Sequence, residues 1–97
     1  FNTITGPAHW HITARARALD NQVYFACASP ARDTGSTYEA YGHSLIVDPW
    51  GSIIVEAGEQ ETVLNAKLDL TEIERIREEL PLLKHRKPDI YKLDQKP

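Results

Sequence analysis

The chain has 97 residues, 41% of them hydrophobic and 26% charged, with 11 basic against 14 acidic side chains for a formal charge of −3. That length holds at most one domain near the lower limit of a self-sufficient core, and the composition is that of a folding chain rather than a disordered one. The charge balance supplies no basic field for nucleic acid or an acidic membrane surface. One cysteine rules out an internal disulfide framework and suits a reducing compartment.

No apolar run approaches the roughly 20 residues that cross a bilayer, and Phe1 to Gly6 has neither the charged nor the long apolar region of a signal peptide. Those first residues read as a loop. Pro7 then suits the first turn of a helix, where its missing N–H costs nothing, with Thr5 or Gly6 just outside. AHWHITARARALDN continues that helix to about Asp20-Asn21, with Trp10, Ala14 and Leu19 expected on one stripe and Arg15 and Arg17 facing elsewhere. Val23 to Ala28, VYFACA, is a continuous apolar run, which predicts a strand covered on both faces.

Pro30 to Thr37 is a polar loop with Asp33, Gly35 and Ser36 as turn formers. SLIV (44–47) and SIIV (52–55) flank Asp48-Pro49-Trp50-Gly51, whose Pro and Gly positions predict a hairpin around a type I turn. Alternation over Thr62 to Leu68 predicts a further strand with one polar face. Thr71-Glu72-Ile73-Glu74 reads as a capping box opening a helix through Ile73, Ile76 and Leu80, which Pro81 ends. The stretch from Leu83 loses periodicity. Four strands with two short helices leave a sheet face poorly covered, the pattern of a half-domain that awaits its other half.

Cys27 sits in apolar surroundings with no cation or helix N-terminus beside it, so it reads as a core thiol with a raised pKa and not as a nucleophile. His9 and His11 point about 200° apart on a helix, and His43 and His85 are isolated, so zinc ligation is not expected. His43 reads as a hydrogen-bonded structural histidine. Glu56, Glu59, Glu61, Glu74, Glu78 and Glu79 lie in polar stretches and read as solvent-facing, and none is placed for general acid work. The scattered glycines form no nucleotide loop, and Trp10 and Trp50 are accounted for by packing or turn burial. The Phe1–Thr5–Gly6 loop remains: hydroxyl and N–H groups before a helix N-terminus suit an anion or carboxylate.

Four blocks, FNTITGPAHWHITARARALDNQVY at 1–24, SPARD at 29–33, YGHSLIVDPWGSIIVEAGEQE at 41–61 and LPLLKHRKPDIY at 80–91, resemble the nitrilase superfamily of carbon–nitrogen hydrolases. The SPAR block places the resemblance in its omega-amidase branch. The resemblance implies an α/β fold, the αββα sandwich of the nitrilase type, of which this chain is roughly the C-terminal third to half. Residues 1–82 would be the C-terminal portion of the hydrolase domain and 83–97 a tail packing at a dimer interface.

It implies hydrolysis of the terminal amide of small α-keto acid amides such as 2-oxoglutaramate and 2-oxosuccinamate through a Cys thioester. The catalytic Glu, Lys and Cys have no counterparts here and are expected upstream of Phe1, in keeping with a chain that has no Met and opens in the middle of a motif. Catalytic residues are therefore none in this chain, and Phe1, Thr5 and Gly6 are the substrate-binding candidates. No metal or organic cofactor is expected. The implied partners are a small-molecule amide, the N-terminal half of the domain and a second copy in a homodimer. The implied location is cytoplasmic, or mitochondrial if the N-terminal half carries a transit peptide. Alternatives are a non-catalytic assembly module on the same fold and a sibling amidase acting on deaminated glutathione.

Overall fold

The computed structural model of the chain describes residues 1–92 and 94. Gly6–Trp10 forms a π-helical turn with Pro7 in its first positions, and it runs directly into helix α1, His11–Asn21. Strands β1 (Phe25–Cys27), β2 (Leu45–Val47) and β3 (Ile53–Glu56) follow, and then helix α2 (Thr71–Glu79). The strands form one antiparallel sheet in the order β1-β2-β3, with Ala26, Ile46 and Val55 in register across its middle.

The π-turn and helix α1 bury Trp10, Ala14 and Ala18 against Leu45 and Val47, and Phe25, Cys27, Tyr41 and Ile53 close the edges of that core. The stripe therefore runs at spacings of four. Leu19, expected on it, lies about 180° from Trp10 at roughly 100° per residue and is exposed. Two alanines at the contact bring the helix axis close to the strands, because no long side chain intervenes. The helix ends in a Schellman arrangement. Gln22 takes left-handed angles (φ 52°, ψ 53°), its N–H bonds the Leu19 carbonyl, and the Val23 N–H bonds the Ala18 carbonyl. Gln22 has a Cβ and so takes this conformation at a cost; its buried side chain donates to the Leu80 carbonyl at 2.7 Å, while its Oε1 has no partner among the described residues.

The hairpin forms as its sequence predicts. The Gly51 N–H bonds the Asp48 carbonyl at 3.0 Å across Pro49-Trp50, and Asp48 Oδ1 accepts from the N–H groups of Trp50 and Ser52. Gly51 has φ 89°, the left-handed position that follows a type I turn in a bulged hairpin. Arg15 Nε bonds the Gly51 carbonyl at 2.7 Å and so ties this turn to α1. Trp50, expected to be buried in the turn, is 57% exposed and lies with Ile12 and Leu19 on the outer side of α1.

Three other expectations are corrected. The strand VYFACA shortens to Phe25–Cys27 and is covered on one face only, with Ala26 exposed on the other. Thr62 to Leu68 keeps its alternation, with Leu64 and Ala66 half-buried between exposed neighbours, but it forms no strand because it has no ladder partner among the described residues. The capping box at Thr71 does not form. Asp69 Oδ1 instead accepts from the Thr71 N–H at 3.0 Å and hydroxyl at 2.6 Å. Thr71 is the first helical residue, and Leu70 stands at the N-cap with no side-chain cap. Those bonds also hold the Asp69 carboxyl below its ordinary value.

One sheet face is packed and the other is open. A groove of about 410 Å³ runs over the open face past Ala26, Ile46, Ser44 and Leu64. The radius of gyration is 17.0 Å, against about 13 Å for a self-contained domain of this length.

Gly6 is buried where a Cβ would collide with the Tyr41 ring near its root, which a flexible side-chain tip could avoid and this ring cannot. Gly6→Ala is expected to lower stability by about 1–3 kcal/mol. Gly58→Ala, where nothing lies within 4 Å, is expected to stay within about 0.5 kcal/mol. Urea denaturation midpoints of the two variants check the contrast.

Candidate functional site

The loop before the π-turn is organised by Asn2. Its Oδ1 accepts from the N–H of Ile4 (2.9 Å), the N–H of Thr5 (2.8 Å) and the Thr5 hydroxyl (3.1 Å). The Asn2 N–H donates to Thr5 Oγ1 at 3.2 Å and the Asn2 carbonyl accepts from the Gly6 N–H at 2.8 Å. Thr5 therefore exchanges hydrogen bonds with Asn2, and its single proton is directed inward. Phe1 is half-exposed and packs edge-on against Trp10 at 5.1 Å between centroids. Thr5 and Gly6 are tied to Asn2 and Phe1 to Trp10, and Asn2 is the residue that the sequence reading missed. Its signal was present: an Asn two and three residues before the N–H groups it binds is the spacing of an Asx turn.

Tyr41 joins this loop to a second group of side chains. The Tyr41 N–H donates to the Phe1 carbonyl at 3.1 Å, while its ring packs against Gly6 and stacks on the His43 ring at 4.2 Å. His43 has φ 60°, directly after Gly42 at φ 76°, and is held there from two sides. Its carbonyl accepts from the Trp10 indole N–H at 2.8 Å, and its N–H donates to the Gly58 carbonyl at 2.9 Å.

Glu56, at the end of β3, lies between two imidazoles. Its Oε2 is 2.6 Å from His11 Nε2 and 3.1 Å from His43 Nδ1. Burial alone pushes the Glu56 carboxyl up, but hydrogen bonds from His11 and His43, helped by their charge, outweigh it and hold the carboxyl below its ordinary value. Glu56 is exposed, as expected of a solvent-facing carboxylate, but it is paired with two histidines, so the reading of His43 as isolated is corrected. His9 stays exposed and apart, as its angle from His11 predicts.

Arg32 of the SPARD block is a clamp. It donates to the carbonyls of Ala40 (3.1 Å) and Tyr41 (2.9 Å) and pairs with Glu59 at 2.9 Å. It thereby fixes the backbone that presents Tyr41 and His43. Cys27 is half-buried, packs against the core and has its thiol pushed up by burial. Such a thiol is mostly protonated at neutral pH and is a poor nucleophile.

The Glu56 interaction has a defined pH signature. A carboxyl whose folded pKa is lowered contributes stability that is fully present above its ordinary value of 4.5 and is lost as pH falls through the lowered value. Both partners are about a third exposed or less, so the contribution at pH 6 is expected to be about 0.2–1 kcal/mol. Melting curves of the wild type and Glu56→Gln in chelator-containing buffer should differ at pH 6 and converge at pH 3.

The sequence model of the carbon-nitrogen hydrolase family matches residues 1–78. Over 96 residues the chain is 54% identical to the omega-amidase NIT2-A of Xenopus laevis, a match covering 99% of this chain and 35% of that protein. It is 56% identical over 91 residues to the omega-amidase NIT3 of Saccharomyces cerevisiae, covering 94% of this chain and 31% of that one. The crystal structure of Saccharomyces cerevisiae Nit3, a member of branch 10 of the nitrilase superfamily, superposes with a TM-score of 0.84 over 88% of this chain and 31% of its own. The NitFhit protein of C. elegans superposes with a TM-score of 0.83 at 34% identity, over 100% of this chain and 24% of its own. The architecture is thus an α/β fragment of the nitrilase fold, and the chain spans about a third of the length of the relatives it matches.

Proposed function

The chain belongs to the carbon–nitrogen hydrolase family, and we propose that it is the C-terminal part of an omega-amidase. The reaction is hydrolysis of the terminal amide of small α-keto acid amides, 2-oxoglutaramate and 2-oxosuccinamate among them, to the acid and ammonia. The observation that carries this reading is identity above one half to omega-amidases of a frog and a yeast across almost the whole chain.

The chemistry divides between this chain and the rest of the domain. A Cys thiolate attacks the amide carbon, ammonia leaves, and water releases the acid from the thioester. Cys27 does not suit that role, because its burial favours the thiol. The nucleophile, with its Glu and Lys, is assigned to the N-terminal part of the full-length protein, which also covers the open sheet face. Phe1, Thr5 and Gly6 are assigned to the substrate pocket wall. Thr5 acts there as a positioning residue, since its hydroxyl holds Asn2 and through Asn2 the N–H groups of Ile4 and Thr5. A homodimer is the proposed assembly, its contact carried by the tail 83–97, of which residues 93 and 95–97 lie outside the described residues.

The 97-residue chain alone should release no ammonia from 2-oxoglutaramate, while the full-length protein should. Turnover by the isolated chain that Cys27→Ala abolishes would overturn both the family assignment of the nucleophile and the core reading of this thiol. A full-length protein that hydrolyses deaminated glutathione and not 2-oxoglutaramate would move the assignment to the sibling branch.

In the full-length protein, Thr5→Val is expected to raise KM roughly tenfold or more, the scale of one lost hydrogen bond that orders a charged-ligand site. Thr5→Ser, which keeps the hydroxyl, should restore it. A variant whose melting temperature falls while KM stays unchanged would make Thr5 a loop staple only.

A further inference from the structure

Three side chains from three separate elements converge at the edge of the sheet: His11 at the start of α1, His43 in the loop before β2, and Glu56 at the end of β3. One ligand-type atom from each, His11 Nε2, His43 Nδ1 and Glu56 Oε2, lies within 4.8 Å of the others. We propose that His11, His43 and Glu56 form a binding site for a divalent transition-metal ion of the zinc type. This site lies outside the amidase reading and does not depend on it.

The donor set suits that ion class. Two imidazoles and one carboxylate are the protein ligands of open zinc sites, which keep a further position for water. Imidazole nitrogen also favours zinc, copper, nickel and iron over magnesium and calcium, which take oxygen donors. In a tetrahedral site with bonds near 2.0–2.1 Å, ligand atoms stand about 3.4 Å apart. The observed separations of 2.6 and 3.1 Å from Glu56 Oε2 both fall short of that distance, so side-chain rotation of a fraction of an ångström opens the site. The backbone need not move.

The site is also held in place. His43 stands at φ 60°, a conformation that costs a residue with a Cβ and persists only where its surroundings enforce it. Here the Trp10 indole on its carbonyl, the Gly58 carbonyl on its N–H and the Tyr41 ring stacked on its imidazole do so. His11 also meets the Tyr41 ring edge-on at 6.0 Å. These contacts fix the backbone and ring of His43, so one ligand of the site is oriented before an ion arrives. The three side chains are 23–32% exposed, so an ion and its waters reach them from solvent.

The test uses the full-length protein, stripped with chelator and desalted. Zinc is titrated calorimetrically and cobalt by its visible absorption. Wild type is expected to bind one equivalent that His43→Ala and Glu56→Gln lose, with a drop in affinity beyond the roughly tenfold to hundredfold that removal of a mere outer neighbour costs. Added zinc should raise the melting temperature of wild type and leave that of the two variants unchanged. Where His43→Ala fails to fold by circular dichroism, His11→Asn on the solvent side of α1 decides. Glu56→Asp, which keeps the carboxylate, should retain cobalt binding. Equal zinc affinity in wild type and variants, or a melting temperature that zinc raises equally in all of them, would falsify the site and leave His11, His43 and Glu56 a hydrogen-bonded group.

Discussion

The Trp10 indole is the constraint on which the rest of this structure depends. Its ring seals one end of the core, beside Ala14, Leu45 and Val47, while its N–H donates to the His43 carbonyl at 2.8 Å. Phe1 packs on its outer side. One side chain therefore fixes helix against sheet, holds the left-handed backbone before β2, and gives the N-terminal loop something to rest on. A smaller aromatic could replace the ring but not the donor, and a buried carbonyl without a partner costs about 1–3 kcal/mol. The indole satisfies packing and hydrogen bonding together, which is the reason for Trp over Phe at that place.

From that anchor the asymmetry of the sheet follows. Helix α1 presents alanines inward, so it lies close to β2 and covers Leu45 and Val47 completely. No described element performs the same service on the other side. Ala26, Ile46 and Val55 line up across the open face, and the segment after β3 passes near it without joining the ladder. Strands that are apolar on both faces, in a sheet covered on one, are the mark of a layer built to receive another layer. The match of this chain to about a third of its relatives' length agrees with that reading.

Local signals were legible in the sequence and non-local ones were not. Pro7 marked the helix start and Asp48-Pro49-Trp50-Gly51 marked the turn, since each acts within a few residues. The Leu19 assignment failed on angle: at 100° per residue it cannot share a stripe with Trp10. The Thr62–Leu68 strand failed because alternation shows which side is apolar but not whether a neighbouring strand exists. The Thr71–Glu74 capping box failed because Asp69, two residues earlier, takes the Thr71 N–H that Glu74 would have bound, and the Thr71 hydroxyl proton as well. The union of His11, His43 and Glu56 lay beyond any spacing rule. It spans 45 residues from His11 to Glu56, and only the crossing of α1 over the β2–β3 edge creates it.

Tyr41 is where these separate pieces meet. Its N–H holds the Phe1 carbonyl, its ring leaves no room for a side chain at Gly6, and the same ring stacks on His43. Arg32 grips the Tyr41 carbonyl and pairs with Glu59, so the backbone on either side of the ring is tied to the end of the hairpin. The ring thus has contacts on both faces and little freedom to turn. A Gly at position 6 is then required by the ring and not by the helix, whose N-terminus would accept many residues. The loop that carries Phe1 and Thr5 owes its position to a residue 36 places further along the chain from Thr5, which explains why its local sequence alone reads as an ordinary helix entrance.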